Sequence, residues 1–219
     1  MAKRQFDLIV FDWDGTLMDS TAAIVKCIQA AARDLNLPVP KDEDAAHVIG
    51  LGLGEAMQMA MPDLDPAQYG RMAERYRYHY MLHGDDLILF KGVPEMLQDL
   101  AQQGYFLAVA TGKSRVGLNR ALNEAKLLST FHATRCADES FSKPHPAMLH
   151  ELTRELGQDM QRTLMIGDTT HDVQMAINAG SGAVAVQYGA HPVHHLQALN
   201  PLFIAASVPE LHQWLNQHA

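Results

Sequence analysis

The chain has 219 residues, of which 47% are hydrophobic, with a formal net charge of -8 and two cysteines. This length and apolar content are enough for one large domain with a smaller insertion, and they exclude a disordered chain. The acidic balance argues against a nucleic-acid or acidic-membrane surface, which would need an excess of basic residues. Two cysteines are too few for a disulfide framework, which favours a reducing compartment.

The amino-terminal segment predicts no export signal. Its early apolar run is interrupted by Asp7 and Asp12, and no small-residue cleavage site follows. No apolar stretch approaches the length of a transmembrane helix. We therefore expect a cytoplasmic monomer or homodimer that acts on a small molecule, with no membrane partner and no nucleic-acid partner.

A buried strand is predicted from Phe6 to Phe11, and two carboxylates follow it in the string Asp12-Trp13-Asp14-Gly15-Thr16. If the strand ends near Asp12, the Asp12 carboxylate projects from its carboxyl end. Gly15 then allows a turn that brings Asp14 back towards the same crevice. One carboxylate could attack a substrate while the other exchanges protons. The same string also fits an ordinary turn, in which Asp and Gly supply local hydrogen bonds.

The next segment predicts helices only. A helix after the first strand ends at Pro38 and Pro40, and helices at 45–49, 53–61 and 66–82 are joined by Gly, Pro and Asp turns. None of these segments has the β-rich run of a core strand. We therefore expect a helical cap domain at 18–86, inserted after the first strand into a core formed by 1–17 and 87–219.

From residue 92 onward, helices alternate with short apolar strands. Strands are predicted at 106–110, 131–134, 163–166 and 183–186. Continuous apolar strands alternating with helices predict a parallel sheet covered on both faces. The expected fold class is therefore α/β, a doubly wound, Rossmann-like core, with its active crevice at the carboxyl ends of the strands.

Three further polar motifs fall where these strands end. They are Thr111-Gly112-Lys113-Ser114, an isolated lysine in Ser142-Lys143-Pro144-His145-Pro146, and Gly167-Asp168-Thr169-Thr170-His171-Asp172. Together with the first string, they resemble the four motifs of the haloacid dehalogenase superfamily, within it the phosphatases similar to phosphoglycolate phosphatase. The resemblance spans residues 6 to about 180, and it implies a helical cap between the first and second motifs.

The resemblance implies a magnesium-dependent hydrolase of a small phosphomonoester such as 2-phosphoglycolate. Asp12 would form an aspartyl-phosphate, and Asp14 would protonate the leaving oxygen and then activate water. A carboxylate and a phosphate ester repel each other, so attack requires a divalent cation. Magnesium prefers oxygen ligands. We expect them from Asp12, the Asp14 main-chain carbonyl and Asp168, with Asp172 serving as a ligand or holding a metal-bound water.

Thr111, Gly112 and Lys143 complete the predicted phosphate site. The Thr111 hydroxyl and the Gly112 N–H can donate to phosphate oxygens, while Lys143 offers positive charge to phosphate and nucleophile together. Taken alone, Lys143 would be interpreted as a surface lysine. Its place between the second and fourth motifs matches the third motif of the family. The role of Lys113 is left open, because some relatives have Asn where this chain has Gly112.

Other functions stay in view beside this one. A dehalogenase uses the same nucleophile without a metal, but Asp14 argues against it. A phosphosugar mutase shares both aspartates, although no basic cap-loop residue occurs near 50–55. A nucleotide or sugar phosphatase, or an inactive binding protein on the same fold, completes the alternatives.

Two other features are interpreted more plainly. The glycine-rich segment 50–54 lacks dinucleotide-site spacing and predicts a helix start that approaches the substrate. The histidines His191, His194 and His195 predict a solvated helix start and not a metal site.

Overall fold

A computed structural model describes residues 5–83 and 87–219. Six strands form one sheet: β1 (Leu8–Phe11), β2 (Phe106–Thr111), β3 (Ala133–Cys136), β4 (Thr163–Gly167), β5 (Gly182–Val186) and β6 (Phe203–Ala205). Their spatial order is β3-β2-β1-β4-β5-β6, and every pairing is parallel. This is the strand order of a doubly wound sheet, which confirms the predicted fold class.

The register brings the motif-bearing strand ends to one edge of the sheet. Phe11, the last residue of β1, pairs with Val109 of β2 and Ile166 of β4. The residues that follow all three strands therefore emerge side by side. The strand order reverses between β1 and β4, which is where open α/β sheets bind their ligands.

Helices cover both faces of the sheet, as continuous apolar strands require. They are α5 (Val93–Gln102), α6 (Arg115–Glu124), α7 (Ala147–Leu156), α8 (Thr170–Ala179), α9 (Val193–Gln197) and α10 (Val208–His218). Ile9 and Phe11 pack in one apolar cluster with α5, α6 and α10. Leu8 and Val10 point to the opposite face and pack with α7 and α8. Successive side chains of β1 therefore pack alternately into the apolar cores on the two faces of the sheet.

Four helices in the described part of the chain lie between β1 and α5 and share a third apolar cluster. They are α1 (Thr21–Asp34), α2 (Asp42–His47), α3 (Leu53–Ala60) and α4 (Tyr69–His83). The chain enters this group of helices after Leu17 and leaves it before Phe90, and these two connections are hydrogen-bonded to each other. The Asp19 N–H donates to the Ile88 carbonyl at 2.9 Å, and the Phe90 N–H donates to the Leu17 carbonyl at 3.0 Å. These helices therefore have an apolar cluster of their own, and their two connections to the sheet lie side by side; a cap at 18–86 stays a prediction. The exact boundaries stay a prediction, and residues 84–86 lie outside the described part of the chain.

The element boundaries differ from the sequence prediction in several places. The first strand begins at Leu8, although Phe6 is buried before it. The third strand lies at Ala133–Cys136, because pairing of Ala133 with Ala108 sets its register. The short edge strand β6 was not predicted from the sequence. Within the described residues, no helix combines the length and apolar character needed to cross a membrane.

Candidate active site

Three buried carboxylates converge at the switch point of the sheet. Asp12 follows β1, Asp168 follows β4, and Asp172 lies in the first turn of α8. One oxygen from each lies within 4.8 Å of the others. Like charges this close destabilise one another unless a cation neutralises them. The cluster contains three of the four residues that the sequence predicted as metal ligands.

Lys143 supplies one cation from the loop after β3. Its side-chain Nζ lies 2.7 Å from Asp12 Oδ1 and 2.6 Å from Asp172 Oδ1, and the residue is 2% exposed. Burial by itself lowers the pKa of Lys143, but the charges of Asp12 and Asp172 raise that pKa above its ordinary value. Lys143 is therefore a charged, fully buried lysine, and one positive charge faces three carboxylates.

Asp172 has a positioning role that the sequence did not reveal. Its Oδ2 accepts hydrogen bonds from the Thr169 main-chain N–H at 3.1 Å and from the Thr169 hydroxyl at 2.6 Å. The Thr169 side chain accepts in turn from the Asp172 N–H, which completes a capping box at the start of α8. Since Oδ1 pairs with Lys143, Asp172 links the helix terminus to the buried lysine.

Asp168 is held in a narrow cradle. Its Oδ1 accepts from the Thr16 hydroxyl at 2.8 Å and its Oδ2 from the Ala190 N–H at 2.7 Å. Gly15 has φ +76°, and a Cβ there would approach Asp168 Oδ2 to 2.2 Å, so only glycine fits this turn. The cradle explains why the first motif ends in Gly-Thr.

The electrostatics of the cluster favour a bound cation. Burial, followed by the charge of Asp172, raises the pKa of Asp168 to about 7. Burial also raises the pKa of Asp12 well above its ordinary value, despite the opposing charge of Lys143. The buried Oδ2 of Asp12 has no hydrogen-bond partner among the described residues. Hard oxygen donors with an excess of negative charge fit Mg²⁺.

Asp14 occupies a different environment from Asp12. Its Oδ1 accepts from the Ser20 hydroxyl at 2.7 Å and from Lys113 Nζ at 3.0 Å. Lys113 also donates to the Tyr80 hydroxyl at 2.8 Å, which reaches over from α4. Burial lowers the pKa of Lys113, but Asp14, Tyr80 and Tyr76 together raise that pKa above its ordinary value. Lys113 thus pairs with the candidate acid–base residue.

The residues predicted to bind phosphate lie where the inserted helices meet the sheet. Thr111 is buried at the end of β2, and its hydroxyl oxygen accepts from the Lys113 N–H at 3.2 Å, which leaves its proton free to be donated. A Cβ on Gly112 would lie 2.3 Å from the Leu51 carbonyl oxygen. Segment 50–52 therefore rests directly on Gly112. A Cβ on Gly50 would lie 4.0 Å from Asp12 Oδ2, so this segment covers the carboxylates.

The prediction of a solvated helix start at the histidines was wrong for His191. His191 is buried, and its Nδ1 accepts from the Thr170 N–H at 3.0 Å. The Nε2 atom of His191 then carries the proton and donates to the His47 carbonyl oxygen at 3.0 Å. The Nε2 atom of His171 lies 2.9 Å from the same oxygen. Two core histidines thus hold the end of α2. His194 and His195 are exposed, as expected.

Sequence reasoning missed several residues that position this site. They are Thr16, Ser20 and Tyr80. The sequence also left the role of Lys113 open. Thr16 and Ser20 lie within a few residues of the two aspartates, so their proximity was a usable signal. Tyr80 lies 33 residues from Lys113 and offered none.

A cleft of about 910 Å³ opens beside Asp14 and Lys113. Its walls come from the inserted helices on one side and from the sheet edge and α6 on the other. A leaving group bonded to a phosphate at Asp12 would extend past Asp14 into this cleft.

Comparison with known proteins identifies the family of the chain. The family described as haloacid dehalogenase-like hydrolase matches residues 9–186. A probable phosphatase, IndB, of Dickeya dadantii is 35% identical over 211 residues, which cover 93% of this chain and 91% of that protein. A phosphoglycolate phosphatase of Aliivibrio fischeri is 32% identical over 191 residues, covering 83% of this chain and 84% of that protein.

A solved structure shows the same fold. A hydrolase from Pseudomonas syringae superimposes with a TM-score of 0.89 at 22% identity, covering 96% of this chain and 98% of that one. The resemblance predicted from the four motifs is confirmed by these matches, and so is the prediction of a hydrolytic enzyme.

Proposed function

The chain belongs to the haloacid dehalogenase-like hydrolase family, and we propose that it is a magnesium-dependent phosphatase that hydrolyses a phosphomonoester through an aspartyl-phosphate. One observation carries the proposal: Asp12 is fully buried, with one oxygen paired to Lys143 and the other without a hydrogen-bond partner among the described residues. A carboxylate held in this way presents one free oxygen for attack. The relatives named as phosphatases support the class of reaction.

The buried acidic cluster is the proposed magnesium site. Asp12, Asp168 and the Asp14 main-chain carbonyl would bind the ion, with Asp172 as a ligand or through a water molecule. When bound, the ion neutralises the charge of the carboxylates and of the phosphate. Thr16 and the Ala190 N–H support the site by fixing both oxygens of Asp168.

The first chemical step is proposed as follows. Asp12 Oδ2 attacks phosphorus, the bond to the leaving oxygen breaks, and Asp14 gives that oxygen its proton. Lys143 is placed beside the attacking carboxylate, where its charge stabilises the transferring phosphoryl oxygens. The Thr111 hydroxyl and the Gly112 N–H would donate to the same oxygens.

In the second step, Asp14 acts as a base. It removes a proton from water, the water oxygen attacks phosphorus, and the bond to Asp12 breaks to release inorganic phosphate. Lys113 and Ser20 hold the Asp14 carboxylate in the position needed for both steps. The contact of Lys113 with Tyr80 connects this orientation to the inserted helices.

The motif resemblance favours a small substrate such as 2-phosphoglycolate, and the phosphoglycolate phosphatase of Aliivibrio fischeri supports testing it first. A nucleotide or sugar phosphate is the alternative. For phosphosugar mutase activity the inserted loop offers no support, because residues 50–55 include no Lys or Arg.

The test is phosphate release from phenyl phosphate, with magnesium and with excess chelator, by wild-type protein and the Asp12→Asn variant. We expect release that requires both the metal and Asp12. Metal-independent turnover, or turnover by a folded Asp12→Asn protein, contradicts the proposal. Circular dichroism and melting temperature show whether the variant is folded.

A further inference from the structure

The size of the cleft bears on the substrate. The cleft has a volume of about 910 Å³. This volume is at the upper end of the range for pockets that enclose drug-sized ligands. A two-carbon acid would fill a small part of it and leave the remaining walls in contact with water.

The walls of the cleft are largely apolar. On the side of the inserted helices, the lining includes Ile24 and Ile28 of α1 and Val48 and Leu51 of the loop between α2 and α3. Leu89 lines it from the second connection to the sheet. These side chains offer no hydrogen bond to a carboxylate or a sugar hydroxyl, so they favour an apolar ligand.

The mouth of the cleft exposes large apolar side chains. Met81, Ile88 and Val116 are 64%, 70% and 81% exposed, and all three line this space. They come from α4, the second connection and α6. Single exposed hydrophobic residues are ordinary, but three from separate elements around one cleft indicate a surface that an apolar ligand covers.

The cationic side chains near the cleft are either ion-paired or exposed to solvent. Lys113 is paired with Asp14 and Tyr80. Arg120 is exposed and pairs with Glu124 at 2.6 Å, and Arg77 is exposed to solvent. Among the described lining residues, Lys113 is therefore the one cation that is not exposed, and a small anionic leaving group would compete with Asp14 for it.

We infer that the substrate is a phosphomonoester whose leaving group is a bulky, mostly apolar or aromatic alcohol. The phosphoryl group binds at the charged cluster, and the body of the alcohol lies along the apolar cleft beyond Asp14. This inference rests on the proposed phosphatase function and sharpens its substrate class.

A series of primary phosphate esters tests it: ethyl, butyl and 2-phenylethyl phosphate, compared with 2-phosphoglycolate. The leaving groups are all primary alkoxides, so their size and polarity dominate the differences. We expect kcat/KM to rise about fourfold for each methylene that is buried. We also expect 2-phenylethyl phosphate to be preferred over 2-phosphoglycolate. A flat series, or preference for 2-phosphoglycolate, overturns the inference.

A pair of matched variants locates the effect. Ile88→Glu places a charge at the mouth of the cleft and should lower the ratio of kcat/KM for 2-phenylethyl to ethyl phosphate by about tenfold. Leu202→Glu makes the same change at a residue that is 54% exposed and does not line the cleft, so it should leave the ratio unchanged. If Ile88→Glu and Leu202→Glu gave the same ratio of kcat/KM for 2-phenylethyl to ethyl phosphate, the leaving group would not lie in this cleft.

A third variant tests the anionic alternative. Arg77→Gln should affect the four esters alike, because Arg77 is a solvated residue at the mouth. A selective loss with 2-phosphoglycolate would assign Arg77 to a carboxylate and overturn the inference. Absence of magnesium-dependent release from every ester, phenyl phosphate included, would instead refute the proposed function. Release from all esters with no size preference would refute the inference alone.

Discussion

The two sides of Asp14 differ in almost every physical respect. Towards Asp12 the site is charged and buried, and its partners come from residues that follow β1 and β4 or lie in the loop after β3. Away from Asp12 the cleft is apolar and wide, and much of its lining comes from helices far away in the sequence. Under the proposed mechanism, the group being transferred and the group being released would therefore meet separate parts of the chain. Changes on the two sides should therefore have separable effects.

The largest effect is expected on the charged side. Asp12→Asn should reduce phosphate release from every ester by on the order of 10⁴- to 10⁶-fold, because the amide cannot form the acyl-phosphate. Removing one of three crowded carboxylates should not lower the melting temperature. Equal losses for large and small esters support the separation of the two sides, and a size-dependent loss contradicts it.

Magnesium binding should depend on Asp168 and on its partner Thr16. Asp168→Asn should raise the magnesium concentration for half-maximal activity by at least about 100-fold, and Thr16→Val by roughly tenfold, since outer partners typically contribute 10–100-fold in metal affinity. Titration calorimetry of magnesium with each protein provides a readout besides turnover. An unchanged magnesium affinity in Asp168→Asn would remove this residue from the site.

Asp14 lies between the charged cluster at Asp12 and the apolar cleft. Replacing it should therefore affect substrates according to the basicity of their leaving groups. Asp14→Asn should slow alkyl esters by roughly 10²- to 10⁴-fold and phenyl phosphate much less, because the phenolate needs less protonation. Kinetics over the same ester panel measure this ratio. Equal losses on alkyl and aryl esters would remove the acid role.

Contact between segment 50–52 and the sheet edge gives the next prediction. Gly112→Ala should displace the segment, since the added Cβ would lie 2.3 Å from the Leu51 carbonyl oxygen, and kcat/KM should fall about tenfold or more for all esters. Gly70→Ala is the control, because a Cβ at that helical residue meets nothing within 4 Å. Full activity of Gly112→Ala would show that the segment is free to move away.

The smallest effect is expected at Tyr80. Tyr80→Phe removes the hydrogen bond from Lys113 while keeping the aromatic ring, and should lower kcat about tenfold for alkyl esters by loosening the Asp14–Lys113 pair. Tyr78→Phe on the same helix, at an exposed residue, should have no effect. If both variants lose the same activity, Tyr80 has no positioning role.

The fold was largely predictable because its signals are local. Apolar strands alternating with capped helices indicated the doubly wound sheet, and the four motifs indicated the family. The third strand was predicted two residues too early. Its position is set by the pairing of Ala133 with Ala108, and its own composition does not reveal that pairing. The strand at Phe203–Ala205 is too short to produce a periodic signal.

The candidate site was predictable to a smaller extent. Asp12, Asp168 and Lys143 were proposed from their motifs, and the structure brings them together at one edge of the sheet. The burial of His191 was not predictable, since it depends on the carbonyl of His47 at the end of α2, far away in the chain. The same holds for the link from Tyr80 to Lys113.

The sequence by itself determined the class of fold and the family, and it predicted the residues proposed to handle a phosphoryl group, because each motif is a short string near the end of a strand. Only the tertiary structure decided what covers Asp12, what holds Asp14, and what shape the leaving group meets. Those features depend on contacts between elements far apart in the chain, and packing across such distances leaves no periodic trace in the sequence. An apolar cleft is assembled from side chains that individually are typical of any helix core, so its existence can be recognised only when they face one another.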